Sequence, residues 1–176
     1  MDITRRSDYA CRILRAAFES GDNYVSVSEI SEKEDIPYAF ARSIQHDLVK
    51  GGLIKTVRGA RGGLVLNCDP TKVTLLEVLE AVQGPVSVAL CSVDPDYCSK
   101  QGGCAFNRVW QGADKLLNDY FASFTLADLL TLGESHPSVV EILGETGVYD
   151  KWQCAECVQP QGEQSAAKEA SEQGIS

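Results

Sequence analysis

The sequence predicts a mainly α-helical fold carrying one small β-hairpin. Three observations predict it. Apolar residues recur at three- and four-residue steps near the N-terminus and again beyond residue 104, which is helical spacing. Two Ser/Thr-x-x-Glu boxes mark helix starts. Two short β-rich runs flank a glycine-rich basic hexapeptide, as a hairpin does.

Tyr9, Ala10, Ile13, Leu14, Ala17 and Phe18 form the apolar stripe of a first helix, which Gly21-Asp22-Asn23 ends. Ser26-Val27-Ser28-Glu29 is a capping box and opens a second helix over 27–34. Pro37 suits the first turn of a third helix, closed by Gly51-Gly52. Strands are expected over 53–57 and 64–67, joined through Arg58-Gly59-Ala60-Arg61-Gly62-Gly63. Helix, helix, helix, hairpin is the order of a winged helix-turn-helix, assigned here to residues 1–84. Its last helix opens at the capping box Thr74-Leu75-Leu76-Glu77 and stops at Gly84-Pro85.

Residues 85–104 form a loop holding Cys91, Cys98 and Cys104. Phe106, Val109, Trp110, Ala113, Leu116, Leu117, Tyr120, Phe121 and Phe124 then make one long stripe, with Arg108, Asp114, Lys115 and Asp119 on the other faces. Such a stripe suits either a core helix of one chain or a dimerisation helix. The second reading is preferred, because two heads are needed to read a palindrome. Thr125 caps a short helix, so 105–132 is the dimerisation helix and its successor. Residues 133–176 are a C-terminal extension, expected to be largely flexible because its later part is rich in Gln, Glu, Ser, Ala and Gly.

Composition excludes several classes. With 44% hydrophobic and 23% charged residues the chain can build a core. It has no apolar run near the roughly 20 residues a bilayer requires. The basic start, Met1 to Arg6, lacks the apolar segment of a signal peptide, so a cytoplasmic location is expected. Seven cysteines in a reducing compartment point to metal binding or redox sensing rather than disulfides. Cys11 and Cys68 read as packing residues. His46 and His136 are the only histidines, and no Ser/His/Asp or Cys/His constellation is present. The chain is therefore not expected to be an enzyme.

The net charge of −9 divides unevenly: residues 1–68 carry +1 and residues 69–176 carry −10. Within 37–66 Arg42, Lys50, Lys55, Arg58 and Arg61 face a single acid, Asp47. A local basic patch is what double-stranded DNA requires. In the third helix Phe40, Ile44 and Leu48 are expected to pack inward, while Tyr38, Ala39, Arg42, Ser43 and His46 reach the groove. Arg42 can bond a guanine bidentately. His46 taken alone reads better as a solvated surface residue. The wing arginines Arg58 and Arg61 suit phosphates or a narrow minor groove.

Six and then five residues intervene between Cys91, Cys98 and Cys104, without the tight C-x2-C knuckle of zinc sites. Thiolates so spread can wrap around an iron–sulfur cluster. Asp8, the Val57–Gly63 wing, Thr74-Leu75-Leu76-Glu77-Val78 and this loop together resemble the iron–sulfur regulator family of IscR, NsrR and RirA, nearest its three-cysteine NsrR- and RirA-like branches. The resemblance covers residues 1–132. It implies a homodimeric regulator, read here as a repressor, whose operator affinity follows a cluster sensing redox state, nitric oxide or iron availability. It implies three ligands at Cys91, Cys98 and Cys104 and a fourth at the partner subunit's Asp8. Position 107, histidine in the IscR branch, is Asn107 here, whereas Asp8 stands where the NsrR branch has its aspartate ligand. The resemblance to that branch implies a 4Fe–4S cluster, with 2Fe–2S as the alternative. Asp8 also fits a first-turn acid that stabilises a helix. A cluster-free regulator answering thiol oxidation or a metabolite is the competing reading. Cys154-Ala155-Glu156-Cys157, outside the resemblance, reads as a thiol switch, a zinc half-site or an incidental pair.

Overall fold

The computed structural model describes residues 3–59 and 62–144. Its order is α1 (Arg5–Glu19), α2 (Val27–Lys33), α3 (Tyr38–Lys50), β1 (Ile54–Val57), β2 (Gly63–Leu66), α4 (Leu75–Gln83), α5 (Leu90–Val93), α6 (Ala105–Ala122), α7 (Leu126–Thr131) and α8 (Pro137–Leu143). The helix starts follow from local chemistry. Thr4 accepts from the Ser7 N–H to cap α1, and Ser26 with Glu29 and Thr74 with Glu77 form both expected capping boxes. Thr125 with Asp128 forms a third at α7. Pro37 is the N-cap of α3, one residue outside the first turn expected for it.

The core lies where α1, α3 and α4 meet the hairpin. Ile13, Leu14, Ile30, Ile44, Leu48, Ile54, Leu64 and Val78 are its large, fully buried members. Cys11 and Cys68 pack against it, as the sequence suggested. Between α2 and α3, Asp35 sits at φ 51°, a left-handed turn that Asp tolerates better than most residues. Gly52, at φ 74°, turns the chain from α3 into β1. β1 and β2 pair antiparallel, Ile54 opposite Leu66 and Val57 opposite Gly63. The hairpin is pinned to the head by Val25, which exchanges two backbone hydrogen bonds with Leu64. A side chain at Gly63 would press on the Val25 carbonyl oxygen at 2.5 Å, so this contact requires glycine.

Two expectations are corrected. Phe40 is not in the core: it is 53% exposed and leans edge-on against Tyr9, while Ala41 takes its inward place beside Ile44 and Leu48. The steps from 41 to 44 to 48 follow the 3.6-residue turn as well as those from 40 to 44 to 48, and Ala41 is fully buried. In α6 the most deeply buried residues are polar. Asn107 and Asp114, 4% and 9% exposed, are its buried residues, whereas Phe106, Val109 and Leu116 are 72%, 61% and 73% exposed. Asp114, assigned to an outer face, therefore points into the chain. Beyond α7 the chain forms α8, capped by His136 and begun by Pro137.

Candidate nucleic-acid interface and metal centre

Helix α3 presents Tyr38, Ala39, Arg42, Ser43 and His46 to solvent, because Ala41, Ile44 and Leu48 hold its other face in the core. A cleft of about 420 Å³ and a second of about 410 Å³ lie on the surface. The second runs between α3 and the hairpin. Arg42, Gln45, His46 and Val49 form one wall, and Thr56, Val57, Arg58 and Gly63 form the other. The fold thus brings Arg42, His46 and Arg58 together on one groove. Gln45 and Val49 were not singled out from the sequence; their place depends on where the hairpin docks. Arg61 lies outside the described residues.

The basic edge has a further contributor from α1. Arg6 donates from Nη2 to Ser43 Oγ at 3.0 Å and from Nε to Asp47 Oδ2 at 3.1 Å. Thirty-seven and forty-one residues separate these partners, so no local pattern could have paired them.

The first cleft lies over the thiol loop, lined by Cys91, Pro95, Gln101, Gly102, Asn107 and Arg108 among others. Side chains of α6 strap this loop in place. Asn107 donates to the Cys91 carbonyl oxygen at 2.6 Å, Asp114 Oδ1 accepts from the Val88 N–H at 2.6 Å, and Asn118 donates to the Val86 oxygen at 3.1 Å. Gln111 braces Asn107 from one turn away at 3.0 Å. Asn107 is therefore a strut for the loop backbone. Cys104 is the N-cap of α6, at the end where the helix dipole favours negative charge.

Cys91, Cys98 and Cys104 are half-buried and free. Among the described residues no group of three Cys, His, Asp or Glu side chains closes on a single ion. Three soft thiols on one loop are the donor type that iron–sulfur clusters take. Asp8 stands half-exposed on the first turn of α1 and pairs with Arg12 at 2.8 Å in its own chain. Cys154 and Cys157 lie outside the described residues.

The other thiols differ. Burial first, and the Asp8 carboxylate second, push the Cys11 thiol up to about 11; burial also raises Cys68. In metal-free protein at about pH 8, iodoacetamide is expected to label Cys91, Cys98 and Cys104 well before Cys11, whose rate rises only as pH approaches 11. Peptide mapping by mass spectrometry checks this. Equal labelling of Cys11 and the loop thiols would contradict the packing of α1.

A helix-turn-helix head with a wing, carried beside a long helix, defines a winged-helix transcriptional regulator. The model of the Rrf2 family, iron-dependent transcriptional regulators, matches residues 3–132, and the chain belongs to that family. It is similar to the HTH-type transcriptional regulator IscR of Vibrio parahaemolyticus, 29% identical over 135 residues that cover 76% of this chain and 80% of the relative. Among solved structures, IscR of T. potens superposes with a TM-score of 0.61 at 22% identity, covering 77% of this chain and 90% of that one. CymR, the global cysteine regulator of B. subtilis, superposes with a TM-score of 0.61 at 23% identity, covering 74% and 97%. These relatives are regulators of transcription, not enzymes. Among the described residues no helix is long and apolar enough to cross a membrane.

Proposed function

We propose that two copies of the chain bind a palindromic DNA operator as a homodimeric repressor, controlled by an iron–sulfur cluster on Cys91, Cys98, Cys104 and the partner subunit's Asp8. Within the family, α3 reads the major groove through Arg42, with Tyr38, Ala39, Ser43 and His46 around it, and Arg58 and Arg61 of the wing hold the backbone. The cluster, 4Fe–4S by this ligand set, supplies a bond network that redox state, nitric oxide or iron supply can break. The second nuclearity, 2Fe–2S, is distinguished by iron count.

The observation that carries this reading is that the thiol loop is tied to both the long helix and the DNA head. Asn107, Asp114 and Asn118 hold its first limb to α6. The loop follows directly on α4, whose last residue, Gln83, accepts from Ser7 Oγ at 2.5 Å, on the turn of α1 that carries Asp8 and Arg6. Arg6 in turn grips α3. A change in how the loop is held therefore has a covalent and hydrogen-bonded route to the recognition helix. For regulation the two states must differ in DNA affinity, by about 1–3 kcal/mol.

The test is an anaerobic absorption spectrum with iron and sulfide counts on wild type, Cys98→Ala and Asp8→Ala. A broad band near ~400 nm with about four irons per chain is expected, lost in Cys98→Ala and weakened in Asp8→Ala. Colourless, iron-free wild type would overturn the cluster. It would favour the second reading, a regulator answering thiol oxidation or a metabolite. That reading draws on the likeness to CymR and on thiols that are free and accessible without metal.

A further inference from the structure

Asp47 is an anomaly on the surface assigned to DNA. It is the single acid in residues 37–66, and it stands one helical turn from Ser43 on the recognition helix. An unmasked carboxylate there repels phosphate. Arg6 answers it from another helix: its guanidinium contacts Asp47 through both Nε and Nη2, and the same Nη2 donates to Ser43 Oγ. Both partners of the pair remain partly open to solvent, so the contact can be remade or broken without unfolding the core.

We propose that Arg6 is a positioning residue of the DNA-reading face, masking the charge of Asp47 and fixing the hydroxyl of Ser43 as a donor. The chemistry of Ser43 follows from donor counting. One oxygen lone pair receives the Arg6 N–H, and among the described residues the hydroxyl proton has no acceptor. Ser43 is thereby set to donate to a phosphate oxygen or to an acceptor on a base edge, such as N7 or O6 of guanine. Arg6 itself is occupied. Its contribution to binding is the removal of a repulsion, which separates it from Arg42 and Arg58.

This inference rests on α3 being the nucleic-acid surface, and the experiment separates the two. Binding of a mixed-sequence duplex of about 30 base pairs is measured by fluorescence anisotropy over a range of salt, for wild type, R6A, D47N, R6A/D47N, R6K and R42A. R6A is expected to weaken binding about tenfold and D47N to tighten it about threefold, with R6A/D47N back within about twofold of wild type. R6K, which keeps the charge but loses the fork, stays within about threefold. A salt slope unchanged by R6A once D47N is present marks masking rather than a phosphate contact.

Two results overturn the proposal while leaving the assigned surface intact. One is weakening by both R6A and D47N; the other is R6A/D47N as weak as R6A, which would make Arg6 a direct phosphate ligand. If R42A, R6A and D47N all leave binding unchanged, α3 is not the surface and both readings fall. Thermal melting accompanies each variant. Should R6A unfold, D47N and R6K still decide, since only masking predicts that D47N tightens binding.

Discussion

With glutamate in place of both Val109 and Leu116, the chain is expected to sediment as one copy and to lose at least about a hundredfold in affinity for a palindromic duplex. Both side chains stand on the outer face of α6, at 61% and 73% exposure, beside Phe106 at 72%. In one chain they cover nothing. The inner face of the same helix carries Asn107, Asp114 and Asn118, and the stripe packs within the chain at its C-terminal end, where Tyr120 meets Phe124 edge-on, so Val109 and Leu116 are left on the open side. Burying one Val or Leu side chain contributes about 1.5–3 kcal/mol, and twofold symmetry doubles each contribution. Glutamate removes that gain and brings like charges together in the proposed interface. Because the sites are outside the core, circular dichroism should retain the helical signal of wild type. The loss in affinity follows from linkage of two heads, where the second half-site binds at an effective concentration worth about 10²–10⁴. A two-copy mass in sedimentation equilibrium for the doubly substituted chain would place the interface elsewhere.

How much of this was legible in the sequence depended on range. Capping boxes at Ser26–Glu29 and Thr74–Glu77 are contained in four residues each, and both formed as read. The hairpin needed only two β-rich runs and the glycines between them, and both strands lie within a residue of the expected bounds. The face of a helix was harder. For α3, Ala41 and Phe40 are neighbours in sequence and either fits the period; the packing of the helix in the head, which leaves Phe40 exposed against Tyr9 and buries Ala41, made the choice. For α6 the period located the stripe but not its direction. An apolar stripe faces whatever covers it, and the polar strip of Asn107, Asp114 and Asn118 faces the loop backbone whose amides and carbonyls need partners. The pairing of Arg6 with Asp47 and Ser43, across about forty positions, has no sequence signal short of the fold itself. Of the candidate site, the thiols and the exposed face of α3 were visible as residue types. The struts that connect them were not.

Those struts make the second large prediction. Asp114→Ala is expected to lower Tm by about 3–6 °C and to hasten loss of visible absorption on air exposure in cluster-loaded protein. Asp114 is buried, and its Oδ1 receives the Val88 amide at 2.6 Å, a hydrogen bond to a charged acceptor. Bonds of that kind contribute about 1.5–3 kcal/mol, discounted here toward about 1–2 because Val88 is only half-buried and water can replace part of the contact. For a chain of this size each kcal/mol shifts Tm by about 2–4 °C. Asp114→Asn keeps an acceptor oxygen and should fall by much less, which separates loss of the bond from loss of charge. The effect on the loop follows from geometry: Val88 lies three residues before Cys91, whose own carbonyl is held by Asn107. Releasing Val88 leaves Cys91 on one strut instead of two, while Cys104 remains fixed at the start of α6. The thiols on the two limbs then move independently, and a ligand set that must close together is held less well. Wild-type Tm together with a wild-type decay rate in Asp114→Ala would show that the loop holds its thiols without α6.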